Sequence, residues 1–352
     1  MSSWRSPFTL AILAGLLGVT AEAGQSLSVD GESWCLTAQA EHVEIYRRPR
    51  LKEKTDSDQA FAVEMSVAIG KAAGILGVAP SRLRFLFIDA SYPRLPRSPI
   101  KFFGFVDYDL NAELGDDFVL LDPSFGLGPG AIHAGIHDYQ HIVARRLSPD
   151  EPRWIQEGMS ELLAWRVTGI LPSISVSAFL EKSSPLALRK TGIGEYGMAD
   201  YGQSYLLFRF VWERLAGDRL FGERPAKWLQ EIGLEELYRR FAISLSVPNL
   251  VASGEYGWSE RVFTRAPIDP SQGSIPGFSS ALVDVGVTLL DRGRLEVSAP
   301  APLIAYMIEL KGQEARIRPL SDVVADRGYA PGRRISLLVI NPTGDELSYS
   351  IR

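Results

Sequence analysis

The feature that most limits the fold of this 352-residue chain is the stretch AIHAGIHDYQHIVAR at residues 131–145, which holds three of its four histidines. His133, His137 and His141 are spaced by four residues, so in an α-helix they lie on one stripe with successive rises of about 6 Å. Apolar residues between them, such as Ile136, are typical of a helix packed inside a protein. The spacing therefore predicts a buried helix with three imidazoles along one side.

Buried imidazoles need partners, because an unpaired buried polar group costs about 1–3 kcal/mol. Two histidines at positions i and i+4 can both direct a nitrogen at one Zn²⁺, with bonds of about 2 Å. His137 and His141 are therefore candidate zinc ligands. The alternative is that the histidines are packed core residues with hydrogen bonds inside the protein.

A second helix is predicted directly after Pro152, in RWIQEGMSELLAW. It carries the candidate third ligand, Glu157, with Glu161 one turn later on the same face. The connecting loop is short, so we expect the two helices to form an antiparallel pair, and Gly158 to let their backbones approach closely. Three protein ligands leave a fourth position for water, as in a catalytic zinc site. The alternative is that the two glutamates form a solvated face.

The motifs HDYQH and WIQEGMSE resemble the two zinc motifs of the gluzincin metallopeptidases, the thermolysin-like group, in which HExxH is followed by a second helix that carries Glu. They are most similar to the peptidase MA-like or hyicolysin-like branch. The segment at residues 200–218 is similar to the tyrosine-bearing helix that follows in those proteins. The resemblance covers about residues 40–262, and only the two zinc motifs are specific.

The resemblance implies a set of site residues. His137, His141 and Glu157 would bind Zn²⁺, and Glu161 would accept a hydrogen bond from the far nitrogen of a ligated imidazole. A tyrosine would stabilise the developing oxyanion. Tyr201 is the preferred candidate for this role and Tyr205 is the alternative.

The resemblance also implies a polypeptide substrate. The strand DFVLLD, just before the histidine helix, takes the place of the edge strand that holds an extended peptide by backbone hydrogen bonds. Phe118, Val119 and Leu120 are therefore the predicted substrate-binding residues.

The first motif departs from the family pattern at Asp138, where the family has the glutamate that acts as general base. Aspartate places its carboxylate about 1–1.5 Å further back, and misplacement by about 1 Å can reduce a rate roughly 100-fold. Three outcomes stay open: an active enzyme whose helices lie closer, a slow enzyme, or a zinc-binding protein that no longer catalyses. The last would be a peptide-binding or adhesion module.

His133 is not required by the family pattern. It is a candidate for a spare ligand, a group behind the ligands or an oxyanion stabiliser. The alternative is a hydrogen-bonded helix histidine with no further role.

The N-terminus predicts export. Residues 1–23 combine Arg5, an apolar run and the small residues of TAEAG, which is typical of a signal peptide cleaved after Ala23 and indicates a secreted or periplasmic protein. The alternatives are a membrane anchor and a buried N-terminal helix. We expect no later apolar stretch to be long enough to cross a bilayer, and therefore no stable membrane anchor after cleavage.

The remaining pattern predicts an α+β protein. Residues 24–265 would form a thermolysin-like (zincin) peptidase domain, with a mixed lobe over about 24–126 and a helical lobe over about 127–262. A Pro/Gly/Ser-rich linker at 266–274 would lead to residues 275–352, whose short alternating runs predict a small β-sandwich that ends in a hairpin at Pro342–Gly344.

Composition excludes some classes of protein. The net charge of −5 argues against a nucleic-acid partner. Cys35 is the only cysteine, so an intrachain disulfide is impossible and the fold must depend on packing. A role in metal transport is disfavoured, because it would call for exposed histidine-rich tracts.

Overall fold

The computed structural model describes thirteen segments of the chain, namely residues 26–49, 55–89, 91–93, 104–182, 186–188, 196–222, 225–247, 272–284, 297–298, 303–311, 314–320, 334–343 and 345–351. The predicted signal peptide at residues 1–23 lies outside the described residues, as does most of the predicted linker. The described part combines helices and strands, which confirms the α+β class.

The first half of the chain forms one sheet and the helices around it. In chain order the elements are β1 (Ser26–Val29), β2 (Glu32–Ala40), β3 (Val43–Arg47), α1 (Thr55–Leu76), β4 (Leu83–Phe87), β5 (Gly104–Phe105), α2 (Tyr108–Leu114), β6 (Phe118–Leu121), α3 (Pro129–Leu147) and α4 (Arg153–Thr168).

The second half is first helical and then formed of strands. Its elements are α5 (Ser173–Leu180), α6 (Met198–Val211), α7 (Arg219–Gly222), α8 (Pro225–Ile232), α9 (Leu234–Ser244), β7 (Gln272–Ile275), β8 (Ser279–Asp284), β9 (Val297–Ser298), β10 (Ile304–Lys311), β11 (Glu314–Pro319), β12 (Arg334–Asn341) and β13 (Leu347–Ile351).

The six strands of the N-terminal sheet have the order β1-β2-β3-β4-β6-β5. The inner strands β3, β4 and β6 are parallel, whereas β5 pairs with β6 in the antiparallel direction. Alternate residues separate the two faces: Phe85 of β4 packs in the core cluster that includes α1, α3 and α4, whereas Leu86 packs with Leu110 of α2 on the other face. The sheet is therefore covered on both sides, and α3 lies against one face.

The helix α1 is, among the described residues, the one helix long and apolar enough to cross a bilayer. Half of this stretch is buried inside the protein, because Phe61, Met65 and Ile69 pack in the core with the sheet. The prediction that no segment after the predicted signal peptide is long and apolar enough is therefore wrong, although the packing is that of a core helix.

The helices α3 and α4 are antiparallel, as predicted. His141 of α3 contacts Glu157 near the start of α4, whereas His133 near the start of α3 contacts Glu161 and Thr168 further along α4. The helix α4 ends at Gly169, whose φ of 71° lies in the left-handed region that favours glycine. These two helices hold the candidate site.

Gly158 has a different role from the one predicted. A Cβ atom at this position would lie 2.4 Å from Cδ2 of Phe208 and 2.8 Å from the carbonyl oxygen of Ser204. Both residues belong to α6. The missing side chain therefore allows α4 to approach α6, not the histidine helix.

The C-terminal strands form a four-stranded sheet, β11-β10-β12-β8, and a three-stranded sheet, β7-β13-β9. Ile335, Leu337 and Val339 of β12 pack with Ile275 and Tyr349 of the second sheet, as expected for a sandwich. The strand β7 begins at Gln272, within the predicted linker. The predicted hairpin at Pro342–Gly344 is wrong, because among the described strands β13 pairs with β7 and β9 and not with β12.

The four-stranded sheet is buried on its second face as well. Leu338 and Ile340 of β12 join the same core cluster as Phe241 of α9, and Arg239 of α9 donates a hydrogen bond to the hydroxyl of Tyr306 over 3.2 Å. The strands therefore pack directly on the helical part and form a layer of one continuous core.

Candidate metal centre

Three side chains converge between α3 and α4. The Nε2 atoms of His137 and His141 lie 3.0 Å apart, and each lies 3.2 Å from Oε2 of Glu157. Tetrahedral ligand atoms about 2.0–2.2 Å from a zinc ion lie about 3.3–3.6 Å from one another, so the observed triangle would need to widen by only a few tenths of an ångström. The predicted ligand set is thus assembled as a group that could bind a metal ion.

A second layer of polar groups supports His137. Glu161 places Oε1 3.4 Å from Nδ1 of His137 and Oε2 3.0 Å from Nε2 of His133. His133 in turn lies 3.3 Å from the hydroxyl of Thr168 through Nδ1. This chain of contacts fixes the orientation of the His137 ring, and it places Glu161 and His133 behind the candidate ligands.

The electrostatics of this site favour a cation. Burial by itself lowers the pKa of His137, but its contacts with Glu157 and Glu161 hold that pKa well above 6.5. Burial opposes ionisation of Glu161, and the neighbouring His133 and His137 nevertheless lower its pKa to about 2. The pKa of Glu157 is lowered in the same way, against burial, chiefly by His141. Two carboxylates thus stay ionised around the imidazoles and attract a proton or a metal ion.

Glu157 has a further partner that the motif did not predict. Nε of Arg153 donates a hydrogen bond to Oε1 of Glu157 over 3.1 Å, so the second oxygen, Oε2, is the one that faces the histidines. The positive charge of Arg153 also acts on Tyr201 and lowers the pKa of its hydroxyl against the effect of burial, and the guanidinium lies 5.1 Å from the ring centre of Tyr196. Arg153 precedes Glu157 by four residues, so helical spacing was the signal that could have identified it.

Of the two candidate tyrosines, Tyr201 lies next to the ligands. Its ring centre is 6.3 Å from that of His137, and burial together with the charge of Glu157 raises its pKa. Tyr205 is completely buried and its hydroxyl accepts a hydrogen bond from Arg209 over 3.0 Å. The geometry therefore favours Tyr201 as the tyrosine of the site.

Asp138 belongs to α3, and its carboxylate lies beside Gly104 at the edge of the sheet. The residue is 5% exposed, and its Oδ2 atom has no hydrogen-bond partner among the described residues. Burial raises the pKa of this carboxyl to about 6. A buried carboxylate oxygen without a partner is unfavourable, which is typical of a functional group held ready for a ligand.

The predicted substrate-binding residues are not on an edge strand. Phe118, Val119 and Leu120 are 0% exposed, and β6 lies between β4 and β5. The sequence prediction failed because β5 has only two residues, Gly104 and Phe105, too few to give an alternating pattern. The edge of the described sheet nearest the site is therefore β5, and a Cβ at Gly104 would lie 2.9 Å from Oδ2 of Asp138.

Tyr108 is another neighbour of the site that sequence reasoning missed. Burial, followed by the charge of Asp138, raises the pKa of its hydroxyl to about 12. The guanidinium of Arg145, one turn beyond His141, lies 4.0 Å from the centre of the Tyr108 ring. No sequence spacing links residues 108 and 145, because their contact depends on how α2 packs beside α3.

Comparison of the chain with protein-family models and with curated proteins finds no match. The similarity to gluzincins therefore remains a resemblance of two short motifs, to which the structure adds the convergence of the candidate ligands.

Proposed function

We propose that this protein is a zinc-dependent metallopeptidase with a thermolysin-like (zincin) arrangement of its site. The observation that carries the proposal is the triangle of His137, His141 and Glu157, with the buried carboxylate of Asp138 directly after the first histidine. Two imidazoles and one carboxylate are a donor set that suits Zn²⁺ and leaves a position open for water. Bound there, Zn²⁺ would lower the pKa of a water molecule and polarise a carbonyl group.

The residues of the chain then have distinct tasks. Asp138 accepts a proton from the attacking water and delivers it to the leaving amine, which calls for a carboxylate that is ionised at neutral pH yet still basic. Burial raises the pKa of Asp138 to about 6, which makes the carboxylate more basic. Tyr201 donates a hydrogen bond to the oxyanion that develops on the substrate carbonyl.

The substrate in this proposal is an extended polypeptide. The corrected edge strand β5 lies against Asp138 at Gly104, and a peptide that adds to this edge would pass beside the catalytic carboxylate. Backbone hydrogen bonds along a strand edge bind a peptide without regard to its sequence. This arrangement supports a peptidase more than an enzyme for small substrates.

Activity on an unfolded protein tests the proposal. Wild type, Asp138→Asn and Asp138→Glu would be loaded with Zn²⁺ and incubated with a reduced, alkylated protein, while bound zinc is measured in parallel. We expect wild type to cleave and Asp138→Asn to lose at least about 100-fold with its zinc retained, since general-base catalysis contributes about 10²–10⁴-fold. Cleavage that persists unchanged in Asp138→Asn would refute the assigned base.

The second candidate function is a zinc-binding, peptide-binding module that does not catalyse. Asp138 itself favours it, because the carboxylate is shorter than the glutamate of the gluzincin motif. In that case wild type is inert, whereas Asp138→Glu gains activity. The packing of the four-stranded C-terminal sheet on the helical part gives no support to an independent adhesion module.

Export is a separate part of the proposal. A secreted or periplasmic protein would lose residues 1–23, so the N-terminal sequence of protein recovered outside the cytoplasm should begin at Gly24. Recovery of the chain with Met1 still attached would contradict the predicted cleavage.

A further inference from the structure

Arg145 continues the stripe of the candidate ligands. It follows His141 by four residues, and His141 follows His137 by four, so the three side chains lie on one side of α3. Helical side chains lean toward the N-terminus of their helix, which directs the guanidinium back toward the ligands. The side chain is exposed. Arg145 is therefore an exposed cation one helical turn beyond His141, on the side of α3 that carries the candidate ligands.

Tyr108 holds this guanidinium from the other side. The Cζ atom of Arg145 lies 4.0 Å from the ring centre, a distance typical of a cation–π contact. Gly104, which precedes Tyr108 by four residues, packs near Asp138. The segment from Gly104 to Tyr108 thus runs beside two turns of α3, from residue 138 to residue 145, and forms one wall of the site.

Arg145 has no hydrogen bond or ion pair with any residue that the structure describes. Its neighbours differ in this respect: Arg146 is paired with Asp117, and Arg153 with Glu157. The helix dipole favours cations in the last turn, but it acts equally on Arg146 and does not explain the position of Arg145 over Tyr108. Within the part of the chain that the structure describes, its five guanidinium N–H donors therefore stay available for a ligand.

We propose that Arg145, held by Tyr108, is a carboxylate-binding subsite that gives the protein a preference for peptides with an acidic group close to the cleaved bond. The inference rests on the proposed peptidase function and names its substrate class. A guanidinium binds a carboxylate through two parallel hydrogen bonds, a geometry that an amide cannot reproduce. An Asp or Glu side chain and a C-terminal carboxylate supply the same chemistry.

Direct binding to Asp138→Asn loaded with Zn²⁺ tests the subsite, because this variant is expected to bind peptides without cutting them. The probes are three fluorescent derivatives of the pentapeptide Ala-Ala-Phe-X-Ala: X is Gln with a C-terminal amide, Glu with the amide, or Gln with a free carboxylate. Fluorescence anisotropy at pH 7 gives each Kd. We expect at least one of the acidic peptides to bind about fivefold tighter than the neutral one, a modest factor because Arg145 is exposed. The tighter of the two acidic peptides identifies the source of the carboxylate.

Two matched substitutions assign the preference to a residue. Arg145→Gln, added to Asp138→Asn, should remove the difference between acidic and neutral peptides, whereas Arg146→Gln, on the next residue of the same helix turn, should leave it intact. Arg145→Lys should keep part of it, because the charge remains without the planar fork. Equal affinities for all three peptides, no binding of any of them, or a preference that survives Arg145→Gln would overturn the subsite.

The failure of the subsite is distinguishable from the failure of the proposed function. Cleavage of an unfolded protein by wild type together with equal peptide affinities refutes the subsite and leaves the peptidase intact. An inert wild type together with a preference that depends on Arg145 refutes the peptidase and leaves an acidic-peptide site.

Discussion

Arg153 donates from Nε to Oε1 of Glu157 over 3.1 Å, while Oε2 of the same carboxylate lies 3.2 Å from the Nε2 atoms of both His137 and His141. The arginine thereby divides the two oxygens of Glu157 between a hydrogen bond and the place of a cation. Since the two residues are one helical turn apart, the rigid backbone of α4 maintains this division. If Glu157 binds a metal ion, Arg153 would act as a positioning residue that favours ligation through a single oxygen.

Replacement of Arg153 should weaken metal binding without removing a ligand. We expect Arg153→Ala to reduce zinc affinity about 10–100-fold, the usual effect of losing a group that orients a ligand. Competition with a chromophoric chelator measures this affinity. Arg166→Ala is the matched control, because Arg166 lies on the same helix and pairs with Asp218. Equal affinities in both variants and wild type would contradict a positioning role.

Metal binding should also stabilise the fold. A ligand present at about 1,000 times its Kd adds about 4 kcal/mol to the stability of the state that binds it, so Zn²⁺ should raise the Tm by several degrees. His141→Ala should abolish this rise. His42→Ala should retain it, because His42 lies in the turn between β2 and β3 and is not one of the three candidate ligands. A rise of equal size in the His141→Ala variant would place the zinc elsewhere.

The sequence was most informative where one helix fixed the geometry. His137 and His141 share a face by spacing alone, and Glu157 was found because a short loop forces α4 back along α3. The edge strand was misassigned because β6 is buried on both faces and β5 is only two residues long. The contact of Tyr108 with Arg145 joins two elements whose packing no local pattern encodes. Local periodicity thus predicted the candidate ligands, and tertiary packing decided their surroundings.

Asp138 should destabilise the metal-free protein at neutral pH. Burial raises its pKa from 3.8 to about 6, so between these values the folded protein binds more protons than the unfolded chain. The cost of the buried carboxylate is therefore absent below about pH 4 and complete above about pH 6, where it reaches at most about 3 kcal/mol.

The stability gained by removing the charge of Asp138 should depend on pH in the same way. In the presence of a chelator, urea unfolding should find Asp138→Asn more stable than wild type at pH 7.5, by up to about 3 kcal/mol, and the gain should shrink as the pH is lowered toward 4. Asp56→Asn, at an exposed position of α1, should show no such gain. A less stable Asp138→Asn at pH 7.5 would mean that the carboxylate is stabilised by partners in the fold.

The approach of α4 to α6 depends on Gly158. A Cβ there would meet the backbone carbonyl of Ser204 at 2.8 Å as well as the Phe208 ring, and a backbone oxygen inside a helix cannot move aside independently. We expect Gly158→Ala to cost about 1–3 kcal/mol, the usual range for overpacking. Gly74→Ala in α1, where a Cβ meets nothing within 4 Å, should stabilise the protein slightly. Urea unfolding compares them, and equal effects would refute the tight contact.

Gly104 limits where the carboxylate of Asp138 can lie. A Cβ at residue 104 would be 2.9 Å from Oδ2 of Asp138 and 3.2 Å from the carbonyl oxygen of Leu120. The carbonyl is held in the sheet, so Gly104→Ala should displace the carboxylate of Asp138 instead. A shift of about 1 Å in a catalytic group can cost about 100-fold in rate, so we expect kcat to fall about 10–100-fold while zinc affinity stays unchanged.

Gly130→Ala, at an open position near the start of α3, serves as the control and should leave kcat intact. If Gly104→Ala is fully active, Asp138 either tolerates the displacement or takes no part in the reaction, and the activity of Asp138→Asn separates these two cases.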